Sequence, residues 1–212
     1  MCIKQIKLIA IILLIILFCV LCFLNYTKIS RINKSILKNN SNNVFNLELY
    51  KNILTKEYIT NDFVDNEIRK SFDFDFSKIV EYKDNYKYGV AVKRANLRFL
   101  PTNKPYYKNK NKDFDYLQNS EVKFNEPLLV LFEYENWYFV QLYNAIGWVE
   151  KNDIAIFETK KSFVNYVNDK KFLIVIDKNI FIDDIYADMG VKINYIKNSE
   201  DFYDVIIPRR DS

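Results

Sequence analysis

Leu8 to Leu24 reads LIAIILLIILFCVLCFL, 17 consecutive apolar residues without a charge, a glycine or a proline. As a helix the run would extend roughly 25 Å at ~1.5 Å per residue, the short end of what crosses a bilayer core. Lys4 and Lys7 place positive charge before it. It is longer than the ~7–15 residues of an ordinary signal-peptide core, and the small residues of a cleavage site are missing. Phe18 and Leu21 precede Cys19 and Cys22, where a lipidated cysteine wants a small neighbour. The expectation is an uncleaved single-span anchor within residues 1–38, with a cleaved signal as the alternative. The amino terminus and two lysines precede the run and four bases follow it. Charge alone therefore favours a cytoplasmic C-terminal side.

Beyond the anchor the chemistry is bounded by what is missing. The chain has no histidine, and its 3 cysteines are Cys2, Cys19 and Cys22. Residues 23–212 therefore exclude a Ser-His-Asp triad, a Cys-His pair, the usual zinc sites and a disulfide. No catalytic residue, metal ligand or cofactor site is assigned. The net charge of +4 is also local: residues 1–38 hold six bases and no acid, leaving 25 bases against 27 acids in the rest. That distribution gives no nucleic-acid footprint.

Residues 39–88 read as an Asn-rich linker, NNSNNVFN, and then a mixed segment. Leu47, Tyr50, Ile53, Leu54 and Tyr58 have helical spacing, whereas FDFDFSKIV alternates like a strand. From Gly89 the text is β. GVAVKRANLRF alternates, and PLLVLFEY, WYFVQLY and IGWVEK are short aromatic and β-branched runs. Glu135-Asn136 and Asn144-Ala145 break them, which predicts a small antiparallel barrel or sandwich over 89–157. A long polar excursion, Pro101 to Glu126, interrupts it and predicts a functional loop. After Phe157 the pattern restarts through KKFLIVIDKNIFI, DMGVKINYIKN and FYDVIIPRRDS. Residues 162–212 then read as a second, incomplete unit, an internal duplication of a small β domain. The fold class is mainly β.

In the excursion, Tyr106, Tyr107, Phe114 and Tyr116 are interleaved with Lys104, Lys108, Lys110 and Lys112. Aromatic faces suit sugars or peptides and the lysines suit carboxylates; the same aromatics would also anchor the loop. Trp137 and Trp148 read as barrel core or rim. Asp73-Phe74-Asp75 and Asp183-Asp184 lack the spaced ligands of a calcium loop and read as solvated strand faces.

Residues 89–156 resemble the bacterial SH3-like domain found upstream of NlpC-type cell-wall cysteine peptidases. The matching blocks are ANLRFLPT at 95–102, FDYLQNS at 114–120, EPLLVLFEY at 126–134, NWYFVQ at 136–141 and GWVEKNDIA at 147–155. Residues 162–212 resemble the start of that architecture's second SH3-like domain, through DMGVKIN and VIIPRRDS. Residues 46–88 take the position of its N-terminal clip. Arg98, Asp115 and Gln118 lie in the matching blocks, where they either bind a stem peptide or hold the long loop. With Tyr106, Tyr107 and Tyr116 they form the expected ligand-binding set.

The resemblance implies peptidoglycan or its stem peptides as target and a catalytic peptidase chain as partner. The chain departs from it in lacking the Cys and His of that peptidase domain. Three readings follow. The first is a non-catalytic wall-binding module held in the bacterial cytoplasmic membrane, its bulk extracytoplasmic. The second is a truncated or split part of an NlpC-type endopeptidase. The third is a cytoplasm-facing adaptor.

Overall fold

The structure, a computed structural model, describes residues 54–83, 85–108, 112–178, 180–198 and 202–210. The expected anchor, Leu8–Leu24, and the Asn-rich linker lie outside these residues. Among the described residues no helix is long and apolar enough to cross a membrane.

The N-terminal part begins with two short helices. Thr55 caps α1 (Lys56–Asn61) by accepting from the Tyr58 amide, and Asp65 caps α2 (Asn66–Lys70) by accepting from the Glu67 amide. Ile59 and Ile68 carry the buried faces. The alternation in FDFDF predicts a strand, and the structure corrects this. Phe72 and Phe74 stack with centroids 5.8 Å apart, and Phe74 meets Tyr134 edge-on at 6.1 Å. Alternate rings are thus half-buried by ring packing, and Asp75 accepts from the Ser77 amide to open a 3-10 turn, Phe76–Lys78.

A single bent sheet follows. Its strands are β1 (Val80–Glu81), β2 (Lys87–Ala91), β3 (Ala95–Arg98), β4 (Gln118–Val122), β5 (Pro127–Tyr134), β6 (Trp137–Gln141), β7 (Ile146–Glu150) and β8 (Ile154–Phe157). The order is β4-β3-β7-β6-β5-β2-β8, all neighbours antiparallel, and β1 adds to β5. Two sequence expectations are revised. GVAVKRANLRF is two strands, bent between Ala91 and Ala95, and the excursion after Pro101 contains β4.

Every strand of that order sends a side chain into one core: Ala91, Leu97, Val122, Val130, Val140, Val149 and Ile154 among them. The sheet therefore wraps like a barrel, but among the described residues its end strands β4 and β8 are not paired. Hydrogen-bonded closure, implied by the barrel expectation, is not made among the described residues. The opposite face is covered by residues 54–79. Phe63 meets Phe139 at 5.0 Å and Phe99 at 5.4 Å, and Lys56 donates to the Ile79 carbonyl at 2.8 Å. Two covered faces explain why PLLVLFEY is nearly continuous in apolar residues instead of alternating.

The last part starts with α3 (Lys160–Val167), capped by Thr159, a helix the sequence reading did not anticipate. β9 (Phe172–Ile174) and β13 (Tyr203–Val205) flank β12 (Lys192–Asn198) in one sheet. β10 (Ile180–Ile182) and β11 (Ile185–Ala187) form a hairpin, turned by Asp183 at φ +55°. Asp183-Asp184 is that turn, not a strand face. The cluster joining these strands, Val175, Ala187, Val191 and Ile193, is completed by Phe124 from the turn before β5.

Candidate functional site

The loop from Phe99 to Leu117 is fastened at its base, its apolar floor and its interior. At the base, Phe99 N–H donates to the Leu117 carbonyl at 2.9 Å, and Tyr116 N–H donates to Tyr106 at 2.9 Å. On the floor, Leu100 and Leu117 pack with Val64 and Ile68 of the helical segment. The interior is organised by Arg98, whose side chain is 5% exposed. Its Nε donates to the Thr102 carbonyl at 3.0 Å and its Nη2 to the Lys104 carbonyl at 3.1 Å. Nη1 reaches Asp115 Oδ2 at 2.5 Å and Gln118 Oε1 at 3.1 Å. Four of the five guanidinium N–H groups are thereby used within the protein.

Gly147 makes this position possible. A Cβ there would lie 2.8 Å from the Arg98 carbonyl oxygen and 2.9 Å from Leu97 Cγ, so β7 approaches β3 only with glycine. The other oxygen of Asp115 accepts from the amides of Tyr106 at 2.9 Å and Leu117 at 3.0 Å. Burial opposes ionisation of Asp115, but these two amides and the guanidinium outweigh it and hold its carboxyl below the ordinary range.

The six expected residues therefore divide. Arg98, Asp115 and Gln118 come together as a clamp that shapes the loop. Tyr106 is half-buried, its ring 6.3 Å from Phe72. Tyr107 is half-buried, while Tyr116 lies at the surface beside Phe114, which is 62% exposed. Phe114 and Tyr116 meet edge-on at 5.1 Å, and Lys108 Nζ stands 4.9 Å from the Tyr116 centroid. An exposed aromatic pair with an ammonium, on a loop rigid at its base, can stack on a planar or ring-shaped group and pair with an anion. Trp137 and Trp148 are buried, Trp148 against Phe139 at 5.2 Å.

A second cluster escaped the sequence reading. Glu133 accepts from Tyr82, Lys151 and, at 3.4 Å, Lys87. Lys87 Nζ lies 4.4 Å from the Tyr82 centroid and 5.4 Å from that of Tyr138. Burial raises the Tyr82 hydroxyl, with the Glu133 hydrogen bond adding. The alternation of Tyr and Lys in YKDNYKY was the available signal, but its acid partner lies about fifty residues further on.

Against known proteins, residues 103–150 match the family described as SH3 domain (SH3b1 type). The resemblance to bacterial SH3-like domains thus holds over the loop from residue 103 onward and over β4 to β7. Among solved structures, an NlpC/P60 endopeptidase from Photobacterium damselae subsp. piscicida is similar at 15% identity with a TM-score of 0.45. The likeness covers 69% of this chain and 37% of that one. No curated protein matches the chain.

Proposed function

We propose that this chain is a membrane-anchored, extracytoplasmic module that binds cell-wall peptidoglycan through its SH3-like domain and is non-catalytic by itself. The observation that carries the reading is the SH3b1-type match at residues 103–150, which spans the exposed aromatics of the loop. Tyr107, Phe114 and Tyr116 contact the polymer, and the lysines beside them attract its carboxylates. Arg98, Asp115, Gln118 and Tyr106 hold the loop in shape. Residues 23–212 supply no Cys or His for thiol chemistry, so a peptidase chain is the natural partner. Leu8–Leu24 holds the module in the membrane.

The test is co-sedimentation of the chain with purified sacculi. Phe114→Ala with Tyr116→Ala should lower the bound fraction at least ~5-fold, by loss of aromatic contact, with unfolding unchanged. Undiminished binding by that variant would remove the loop from the reading. Alkaline phosphatase fused after Ser212 should be active, because the fusion lies outside the cytoplasm. An inactive fusion would support the cytoplasm-facing alternative.

A further inference from the structure

Away from the loop's aromatic pair, a cavity of about 630 Å³ opens where β2 begins and β8 ends. That size lies within the ~300–1,000 Å³ of ordinary ligand pockets. Pairing of Tyr88 with Phe157 sets the two strand ends side by side, and Lys160 starts α3 above them. The lining includes Tyr82, Asn85, Tyr86, Tyr88, Ile156 and Lys160. Its back is an aromatic layer: Phe163 under α3 lies 5.3 Å from Tyr88 and 5.6 Å from Phe157. The three lining tyrosines are half-buried, while Asn85, Ile156 and Lys160 are exposed. Lys160 Nζ stands 5.8 Å from the Tyr88 centroid.

The lining therefore offers the rings of Tyr82 and Tyr88, fixed by packing, with the Asn85 amide, the Glu158 carboxylate and the Lys160 ammonium around them; the Tyr82 hydroxyl is already engaged by Glu133. A wholly apolar ligand would cover those polar groups without pairing them, which is unfavourable. A pyranose offers what they need, a C–H face for the rings and hydroxyl and amide edges for the polar groups. The geometry points to a saccharide-binding site in this cavity, separate from the loop, that takes a stretch of the glycan strand. The inference rests on the peptidoglycan reading for the source of the sugar and names the glycan, not the stem peptide, as the ligand here.

The experiment is calorimetric titration of the full chain in detergent with N-acetylglucosamine oligomers, beside co-sedimentation with sacculi. Tyr88→Ala should weaken oligomer binding about tenfold or more, the scale of losing one well-buried aromatic contact. Ile156→Trp fills the cavity from an exposed wall position without deleting a contact, and should weaken binding similarly even where Tyr88→Ala disturbs the fold. Oligomer binding unchanged in Ile156→Trp overturns the assignment. Sacculus binding without oligomer binding overturns it too, and leaves the peptidoglycan reading standing. Failure to bind either ligand removes both.

Discussion

Between Lys87 and Phe157, seven strands share one hydrogen-bonded sheet and one core, with Leu97, Leu128, Val130 and Val140 wholly buried. Between Lys160 and Arg210, the described strands divide into a sheet of three and a hairpin. There Ile176 is 85% exposed, Ile196 68% and Phe181 62%. Both stretches are rich in β-branched and aromatic residues, so apolar content does not separate them. The first has a partner for each sheet face: its own curl on one side and residues 54–79 on the other. The second completes its cluster by using Phe124 of the first. Burial depends on long-range pairing that brings a second layer, which strand propensity alone does not supply.

The largest expected contrast is between separate fragments. Residues 54–157 should unfold in one cooperative thermal transition followed by near-ultraviolet circular dichroism, whereas 162–212 should show none. Residues 89–157 should melt well below 54–157, because they lose the rings of Phe63 and Phe74 and the first residues of β2. A sharp transition in isolated 162–212 would break the comparison, since that unit would then be self-sufficient.

Arg98→Ala should destabilise the first unit by roughly 3–4 kcal/mol, because it strands a partly buried carboxylate and frees two loop carbonyls. Urea midpoints measure it. Arg98→Lys should recover little, since one ammonium does not reach all four acceptors. Phe124→Ala should cost about 3 kcal/mol but act mainly on the second unit. Hydrogen exchange should quicken in β12 and leave β5 and β6 protected; equal quickening in both would mean that the units unfold as one.

Smaller effects come from pH. The folded Asp115 carboxyl is the stronger acid, so its contribution is complete above the unfolded value of about 4 and is lost as pH falls through the lower folded value. Glu126, beside the junction, behaves oppositely. Burial, then the charge of Asp188, raises its carboxyl against the Lys123 amide and charge. Its contribution is present below the unfolded value of about 4.3 and lost as pH rises through the higher folded value. Glu126→Gln should therefore raise the melting temperature at pH 7 by about 1–3 °C. Asp115→Asn should flatten the acid limb of the stability curve.

What the sequence made legible was local. PLLVLFEY is β5 to the residue, and WYFVQLY and IGWVEK contain β6 and β7 and overrun them by one or two residues, because two-residue breaks such as Glu135-Asn136 specify hairpins on the spot. β4 was hidden because QNSEV is polar, with only Val122 buried, and it is a strand by pairing with β3. FDFDF misled because rings packing under a loop alternate as strand residues do. Arg98, Asp115 and Gln118 were identifiable from their motif blocks. Their convergence on one guanidinium was not, since it needs the loop to close over 17 to 20 residues.

Binding and cleavage can be read in one tube. Purified full-length chain is incubated with sacculi, the pellet is assayed for bound protein, and the supernatant for released muropeptides and dipeptides. The account predicts saturable binding, weakened by Phe114→Ala with Tyr116→Ala, and a supernatant no different from sacculi alone. Absence of binding, or release of peptide fragments by the chain alone, would contradict it.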